Sequence, residues 1–303
     1  QAEFRSRDSE FGDQLLNFYP ENYEKGLTQK PEYSLIRIGG HHQFAPGSDL
    51  IASFMYKDSD YPWNITVPDL YTYDSKDAED ASQGEVQFLQ RTGFVNVIAG
   101  GGYVSTDGHN DTAFVLFPDP SANFSGSMSI DQKHANVYAY ANLNYLKDVT
   151  ATIGVSYDNV DSDAADIYDK TQWNPKFGIT WNPVPDTTLR AAAFRVLKRT
   201  LVTEQTLEPT QVAGFSQFFD EVSSTDYWTY GAGLDQKFTA SLFGGLEYTK
   251  RDLDVPYEFS YPDGTPGTTD WDEKIASAYL YWAPHKWFSF NAGYQYEKLD
   301  RGY

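Results

Sequence analysis

The chain has 303 residues, no cysteine and a formal net charge of −20 at pH 7. The lack of cysteine excludes a small disulfide-stapled secreted domain, and the negative charge argues against a nucleic-acid-binding protein. No run approaches the roughly 18 consecutive apolar residues that a membrane helix needs, so a helical membrane protein is excluded as well. A transmembrane β-barrel remains open, because half of each of its strands is polar.

Both ends of the sequence lie beside strand-like segments. It begins at Gln1 without an initiator methionine or a signal peptide, and it ends at Tyr303 just after a predicted strand. We interpret residues 1–303 as a single barrel domain of a longer protein, with more chain expected at both ends. A periplasmic repeat domain upstream is one option for the additional chain.

In chain order, apolar and polar residues alternate in one segment after another, and helical periodicity is nearly absent. A first strand is predicted at 1–7, and six hairpins follow it. The hairpin strands are predicted at 33–44 and 49–58, 84–90 and 94–105, 132–146 and 149–159, 172–182 and 187–199, 226–238 and 242–254, and 272–282 and 287–299.

Two kinds of connection alternate along the chain. Short joints such as Pro46-Gly47 carry the Pro, Gly and Asp residues of hairpin turns. The long, polar connections are predicted at 8–32, 59–83, 106–131, 160–171, 200–225 and 255–271. This alternation predicts an all-β fold, an antiparallel up-and-down transmembrane β-barrel of the bacterial outer membrane. It has 12 or 13 strands in this chain and about 16 in the complete protein.

The segment 149–157 shows how the two faces of a strand are assigned. Val149, Ala151, Ile153, Val155 and Tyr157 form an apolar face that we assign to lipid, and the residues between them form a polar face that we assign to the lumen. The same rule predicts a set of lumen-lining residues: Asn136, Asn142, Asn144, Thr150, Thr152, Ser156, Asn174, Lys176, Thr180, Thr229, Asp235, Lys237, Glu247, Arg251, Asn291 and Gln295.

Aromatic residues often end the apolar stripes, as in the girdles at the two interfaces of outer-membrane barrels. The predicted girdle residues are Tyr145, Tyr157, Trp173, Trp181, Trp228, Phe238, Trp282 and Tyr296. These positions predict that outer-membrane lipid and lipopolysaccharide surround the barrel.

The long connections are rich in acidic residues. Such loops are commonly just solvated. The functional alternative is that Ca²⁺ or Mg²⁺ bridges them to lipopolysaccharide phosphates, because hard cations prefer carboxylate oxygens. A weak Ca²⁺ site is predicted at Asp158, Asp161, Asp163 and Asp166, although the glycine and the final glutamate of an EF-hand loop are missing. No other cofactor is expected.

The connection 200–225 is the candidate plug or partner-binding loop, because exposed phenylalanines are unfavourable unless something covers them. Its candidate residues are Glu208, Pro209, Gln211, Phe215, Phe218 and Phe219. The loop either folds into the lumen, contacts a periplasmic or surface protein, or packs on itself as a cap. No catalytic motif is present, so an enzyme is not expected.

Two stretches carry a resemblance to known families. NPKFGITWNP at 174–183, followed by the LEPTQ of 207–211, is similar to a strand–turn–strand unit and a loop of TonB-dependent receptor barrels. TLEPTQVAGFSQFFDE at 206–221, with LDQKF at 234–238 and KRDLDVP at 250–256, resembles more closely the barrels of outer-membrane proteins that carry periplasmic tetratricopeptide repeats. No N-terminal plug or TonB box is seen in this chain.

Three functions are therefore considered. The first is a pore for transport or export of a hydrophilic solute or polymer, which the resemblance to repeat-carrying barrels implies. The second is a TonB-dependent receptor-type active transporter, and the third is a structural or adhesive barrel.

Overall fold

The computed structural model describes residues 1–13, 21, 23–164, 168–218, 221–257 and 266–302. Its strands are β1 Ala2–Asp8, β2 Leu27–Gln29, β3 Glu32–Ala45, β4 Ser48–Val67, β5 Tyr71–Arg91, β6 Val95–Leu116, β7 Phe124–Leu143, β8 Val149–Ser162, β9 Lys170–Val184, β10 Thr187–Leu197, β11 Gln211–Val212, β12 Phe215–Ser216, β13 Asp226–Thr239, β14 Leu242–Tyr257, β15 Gly267–His285 and β16 Phe288–Arg301. One 3₁₀ turn, Pro120–Ala122, lies between β6 and β7. The described residues contain no helix that is long and apolar enough to cross a membrane.

The thirteen long strands form one antiparallel, up-and-down sheet in chain order. The short strand β2 adds to β4 outside this order, which makes the sheet fourteen-stranded, and β11 and β12 form a separate small hairpin. Among the described residues, β1 pairs only with β3 and β16 pairs only with β15. The predicted all-β, antiparallel fold is confirmed, and each of the thirteen predicted strands corresponds to one of the long strands.

Tight turns join the strands at one end of the sheet. At the turn between β3 and β4, Gly47 has a φ of 82°, a conformation that glycine adopts without steric cost. A Cβ atom at Gly47 would also lie 2.7 Å from the carbonyl oxygen of Arg91 on the next hairpin. We call this the short-turn end of the sheet, and in outer-membrane barrels that end is periplasmic.

Two of the predicted long loops are wrong. Residues 59–83 and 106–131 are mostly strand, because β4 and β5 continue to the pair Val67–Tyr71 and β6 continues to Leu116. Their backbone groups keep pairing after the lipid-facing pattern has ended. The acidic residues in these extensions pair with lysines on neighbouring strands, as Lys57 does with Glu79 at 3.1 Å. The apolar alternation therefore marked the membrane-crossing part of each strand and missed the rest.

The two faces of the sheet have opposite character. On β8, Ile153 on the outer face is 50% exposed, whereas Ser156 on the inner face is only 3% exposed. The outer face carries most of the exposed large apolar side chains, as a surface in contact with lipid does. Buried residues, polar and apolar alike, concentrate on the inner face, where a long connection covers them.

Candidate luminal site

The segment between β10 and β13 lies on the inner face of the sheet. We call residues 199–217 the inward segment. Its end is the hairpin of β11 and β12, whose two turn residues have positive φ angles, 48° at Ala213 and 89° at Gly214, as a tight two-residue turn requires. In a barrel closed around this face, the inward segment lies inside the lumen.

The first half of the inward segment is held by side chains of β5. Gln83 accepts a hydrogen bond from the Val202 amide at 3.0 Å and donates one to the Gln205 carbonyl at 2.7 Å. Glu85 accepts a hydrogen bond from the Leu207 amide at 3.0 Å. Gln83 and Glu85 lie on the inner face of the sheet, which we call the wall, and both side chains are buried. They therefore satisfy backbone groups of the segment that water cannot reach.

Glu208 is the polar centre of the site. Its carboxylate accepts hydrogen bonds from the Tyr140 hydroxyl at 2.6 Å and from the Asn136 amide at 3.1 Å, and it lies 3.0 Å from the Arg199 guanidinium. The Arg199 and Glu208 side chains are only 3% and 4% exposed. Burial opposes the charge on Arg199, but nearby carboxylates, Glu208 foremost, raise the pKa of its guanidinium above the ordinary value.

A second buried polar group adjoins this centre on the wall. Asp158 lies 2.9 Å from a ring nitrogen of His134 and accepts a hydrogen bond from the Asn174 amide at 2.6 Å. The fully buried Lys176 donates to the Arg195 carbonyl at 2.6 Å and lies over the Phe194 ring. The hydrogen bonds of this second group therefore lie within the wall itself, which fixes the shape of the wall here.

The hairpin of β11 and β12, which we call the tip of the inward segment, packs against glycines of the wall. Val212 and Phe215 are 0% and 1% exposed. Val212 covers Gly178, where a Cβ atom would lie 2.8 Å from the valine side chain, and Phe215 covers Gly231 in the same way. These rings and methyl groups join one apolar cluster with Phe194, Val196, Tyr227 and other wall residues. Because Gly178 and Gly231 have no side chains, they leave the space on the wall that the tip occupies.

Arg190 lies beside the tip, toward the short-turn end. It donates to Asp235 at 2.7 Å and to Glu247 at 3.0 Å, and its guanidinium lies 5.1 Å from the centre of the Phe215 ring. Tyr279 donates to the other oxygen of Asp235 at 2.6 Å. This group is only partly buried, so it remains accessible from the inner side of the sheet.

The sixteen predicted lumen-lining residues all lie on the inner side of the sheet or at its turns. Asn136 contacts the inward segment directly. Others bond within the wall, as Thr152 does with Asn142 at 2.8 Å, while Asn291 and Gln295 are exposed. Their role in lining a lumen stays a prediction.

The predicted loop residues meet different surroundings. Glu208 and Phe215 are buried on the wall, Pro209 and Phe218 are half-buried, and Gln211 is exposed. The Phe218 ring lies 5.3 Å from the Arg199 guanidinium. Phe219 lies outside the described residues.

The predicted girdle residues lie at two levels of the outer face. Tyr157, Trp173, Trp228 and Tyr296 lie toward the long-loop end, and Tyr145, Trp181, Phe238 and Trp282 lie toward the short-turn end. Neighbouring rings are close, with centres 4.8 Å apart for Tyr157 and Trp173. Their contact with the lipid interface stays a prediction.

The weak Ca²⁺ site is not assembled by the described residues. Asp158 faces inward and is engaged with His134 and Asn174, whereas Asp161 and Asp163 are exposed. Asp166 lies outside the described residues. Within the part of the chain that the structure describes, no group of three or more His, Asp or Glu side chains is arranged to hold a metal ion, so this site stays a prediction.

Several residues of the site were not singled out from the sequence, among them Gln83, Glu85, Tyr140, Arg199 and Gln217. Gln217 donates to the Pro209 carbonyl at 2.6 Å and to Tyr140 at 3.1 Å, and so closes the hairpin onto the wall. The alternation of polar residues places Gln83 and Glu85 on the inner face. The alternation does not indicate that they bind the inward segment, because that contact joins distant parts of the chain.

The chain matches the family model described as TonB dependent receptor-like, beta-barrel over residues 4–214. Solved structures of the same fold include the ferric citrate transporter FecA, with 11% identity, a TM-score of 0.71, and 99% of this chain and 48% of that chain covered. The outer-membrane alcaligin receptor FauA from Bordetella pertussis has 12% identity, a TM-score of 0.63, and coverage of 99% and 50%. The copper transporter OprC has 11% identity, a TM-score of 0.65, and coverage of 92% and 48%. No curated protein matches the sequence.

The chain spans about half the length of these solved relatives. At such low identity, their likeness shows the fold alone. The family match confirms the resemblance to TonB-dependent receptor barrels. It gives no support to the closer resemblance to barrels that carry tetratricopeptide repeats.

Proposed function

Since the chain belongs to the TonB-dependent receptor-like β-barrel family of the bacterial outer membrane, we propose that it forms the wall of an energised transporter for a hydrophilic solute. One observation carries this proposal over an open diffusion pore. The inward segment is fixed on the inner face by the buried ion pair of Arg199 and Glu208 and by its apolar tip. A segment held there narrows the path for free diffusion through the lumen. The solute can therefore pass only when an energy-driven conformational change moves the segment.

The chemistry of the inner face sets the class of solute. Amides, hydroxyls and charges of both signs face inward, including Arg190 and Glu247. Such a wall suits a water-soluble molecule with several hydrogen-bonding groups. The solved relatives are named as transporters or receptors of ferric citrate, alcaligin and copper, and one as a peptide transporter. A ferric chelate, copper or a short peptide is therefore the first group of solutes to test here.

The test compares uptake in cells that carry the full-length gene, with and without a functional TonB protein. Each candidate solute is supplied as the limiting nutrient, and accumulation is measured with a labelled form. The proposal expects uptake that is lost without TonB or after collapse of the proton gradient. Uptake that persists unchanged in both conditions would contradict it and favour the passive pore for transport or export.

The inward segment also favours a second candidate, a structural or adhesive barrel whose lumen is filled. One solved structure of the same fold is the FpvAI–pyocin S2 complex, and by analogy we expect a protein partner at the cell surface. A protein that takes up no solute, and that stays non-conducting after removal of residues 206–217, would support this candidate. An upstream tetratricopeptide domain remains a hypothesis, which the full reading frame decides.

A further inference from the structure

The inner face of the sheet continues past the apolar band at the long-loop end. Strands β4 to β7 run on through residues 59–83 and 106–131, and we call these residues the extension. Among the described residues, no register shift interrupts the pairing of these four strands with one another. Side chains alternate strictly between the two faces of a strand. The odd-numbered residues of β5 above the buried Gln83 therefore still face inward, and so do their partners on the neighbouring strands.

A row of apolar side chains crosses the inner face of the extension. Ile65 lies opposite Tyr73, Tyr73 lies opposite Phe114, and Phe114 lies opposite Phe124. The Phe114 and Phe124 rings stack with centres 5.5 Å apart, and the Trp63 ring lies 5.0 Å from that of Tyr73. Phe124 is 54% exposed. Grouped apolar side chains that remain this exposed mark a surface that binds something.

Polar groups lie beside the row, on the side of the inward segment. Asn110 donates hydrogen bonds to Ser75 at 3.1 Å and to Asp77. Ser75 is buried, whereas Asp77 is exposed. The carboxylate of Asp77 thus stands on the inner face, held by one amide and open to a ligand that lies on the row.

A cavity of about 360 Å³ follows below these polar groups. Its lining includes Glu79, Thr106 and Gln132 of the wall and Thr200 of the inward segment. Thr200 donates to Gln132 at 2.7 Å. The aromatic row, the polar groups and the cavity therefore follow one another along the inner face, and the cavity ends at the inward segment.

The charge of the extension restricts what this surface attracts. Residues 59–83 contain six acidic residues and one lysine, and residues 106–131 contain four acidic residues and no lysine or arginine. Most of these carboxylates lie on the outer face, and on the inner face Glu79 is already paired with Lys57 at 3.1 Å. Their combined field acts on both faces, so it attracts cations and repels anionic metal chelates.

We propose that this surface binds the transported solute and that the solute is a cationic peptide. The inference rests on the transport function proposed above and selects one of its solute classes. A guanidinium or ammonium group is attracted to the face of a Tyr, Phe or Trp ring, and here the rings lie close to the carboxylate of Asp77. The amide and hydroxyl groups that line the cavity match the hydrogen-bonding groups of a peptide backbone.

The test measures binding by the full-length protein, purified in mild detergent, so that it does not depend on TonB. The probe is a dye-labelled hexapeptide of alternating arginine and glycine, followed by fluorescence anisotropy. The test variant carries Asp77→Asn and Phe114→Leu. The control carries Asp74→Asn, on the outer face of the same strand, and Phe117→Leu, just beyond the end of β6. Both variants lose one carboxylate and one ring, so their net charge is the same.

We expect the affinity of the test variant for the arginine peptide to fall about tenfold or more, because it loses both contacts with the cation. The control should bind within about twofold of the wild-type protein, since exposed charges away from the surface contribute little. Heat-modifiable migration on a gel shows that each variant is folded. A variant with Asp77→Glu and Phe114→Tyr keeps the charge and the ring, and it should retain the peptide.

Other probes separate the occupants. Equal affinity of the wild-type protein for the corresponding glutamate–glycine peptide, for maltohexaose or for ferric citrate would overturn the inference, as would equal binding by the test and control variants. TonB-dependent uptake of ferric citrate without binding of the arginine peptide would overturn the inference and support the proposed transport. Binding of the arginine peptide without any TonB-dependent uptake would support the binding surface and contradict the transport.

Discussion

Arg199 and Glu208 form an ion pair at 3.0 Å in which both side chains are almost fully buried. They belong to the same connection between two strands, and Tyr140 and Asn136 of β7 complete the hydrogen bonds of the carboxylate. The pair therefore folds the connection on itself and fastens it to the wall at the same time. Removing Glu208 leaves the buried charge of Arg199 without the carboxylate that it contacts.

The first prediction concerns that pair. Glu208→Ala should release the inward segment, because breaking a buried ion pair costs about 3–5 kcal/mol. The chain has no cysteine, so Val212→Cys supplies a single label at a position that is 0% exposed. We expect the rate of maleimide labelling of this cysteine to rise on the order of 100-fold when Glu208→Ala is added.

Glu204→Ala is the matched control. Glu204 also pairs with a cation of the same connection, Lys198, but its side chain is 74% exposed, so its loss should change the labelling rate little. If Val212→Cys is labelled at the same rate with and without Glu208→Ala, the ion pair does not hold the segment.

The second prediction concerns the seat of the tip. Gly231→Ala places a methyl group against the Phe215 ring, and overpacking of this kind costs about 1–3 kcal/mol. We expect the rate of maleimide labelling of the Val212→Cys variant to rise when Gly231→Ala is added. Gly40→Ala is the control, since a methyl group at that position would meet no heavy atom within 4 Å. A Gly231→Ala variant that behaves like Gly40→Ala would show that the tip does not rest there.

The third prediction tests which face meets lipid. Ile153→Lys should destabilise the barrel by about 2–4 kcal/mol, because it puts a charge on the lipid face near the midplane. Thr152→Lys, one residue away on the inner face, should cost clearly less. The free energy of unfolding of the full-length protein in lipid vesicles measures both. Equal tolerance at the two positions would reverse the assignment of the faces.

The fourth prediction concerns the charges beside the tip. Arg190→Gln leaves Asp235 and Glu247 without their shared cation. In a variant lacking residues 206–217, the additional substitution should therefore shift the reversal potential toward cation selectivity. Lys237→Gln removes the same charge from the turn region, where Lys237 meets Asp186 at 3.4 Å, and should shift the potential less. An equal shift would show that Arg190 does not face the conducting path.

Much of the sheet was predictable from the sequence. In a strand with one face toward lipid and the other toward water, apolar and polar residues alternate along the chain. β8 shows this directly, with Ile153 exposed and Ser156 buried as the two faces require. The strand predicted at 187–199 departs from this rule, because Phe194 and Val196 are apolar but face inward, where the inward segment covers them. Their environment depends on a contact between distant parts of the chain, which periodicity does not report.

The candidate site was predictable only in outline. The phenylalanines of 200–225 indicated that other residues bury this segment, but not which strands it packs against. Gln83 and Glu85, on the fifth strand, became candidates only when the structure placed them under the segment.

Single-channel conductance in planar bilayers tests the central claim most directly, that the inward segment obstructs the lumen. It compares the full-length protein with a variant in which a short Gly-Ser linker replaces residues 206–217. We expect little or no conductance from the wild-type protein and steady, larger channels from the deletion variant. Wild-type channels as large as those of the deletion variant would contradict the account and favour an open pore.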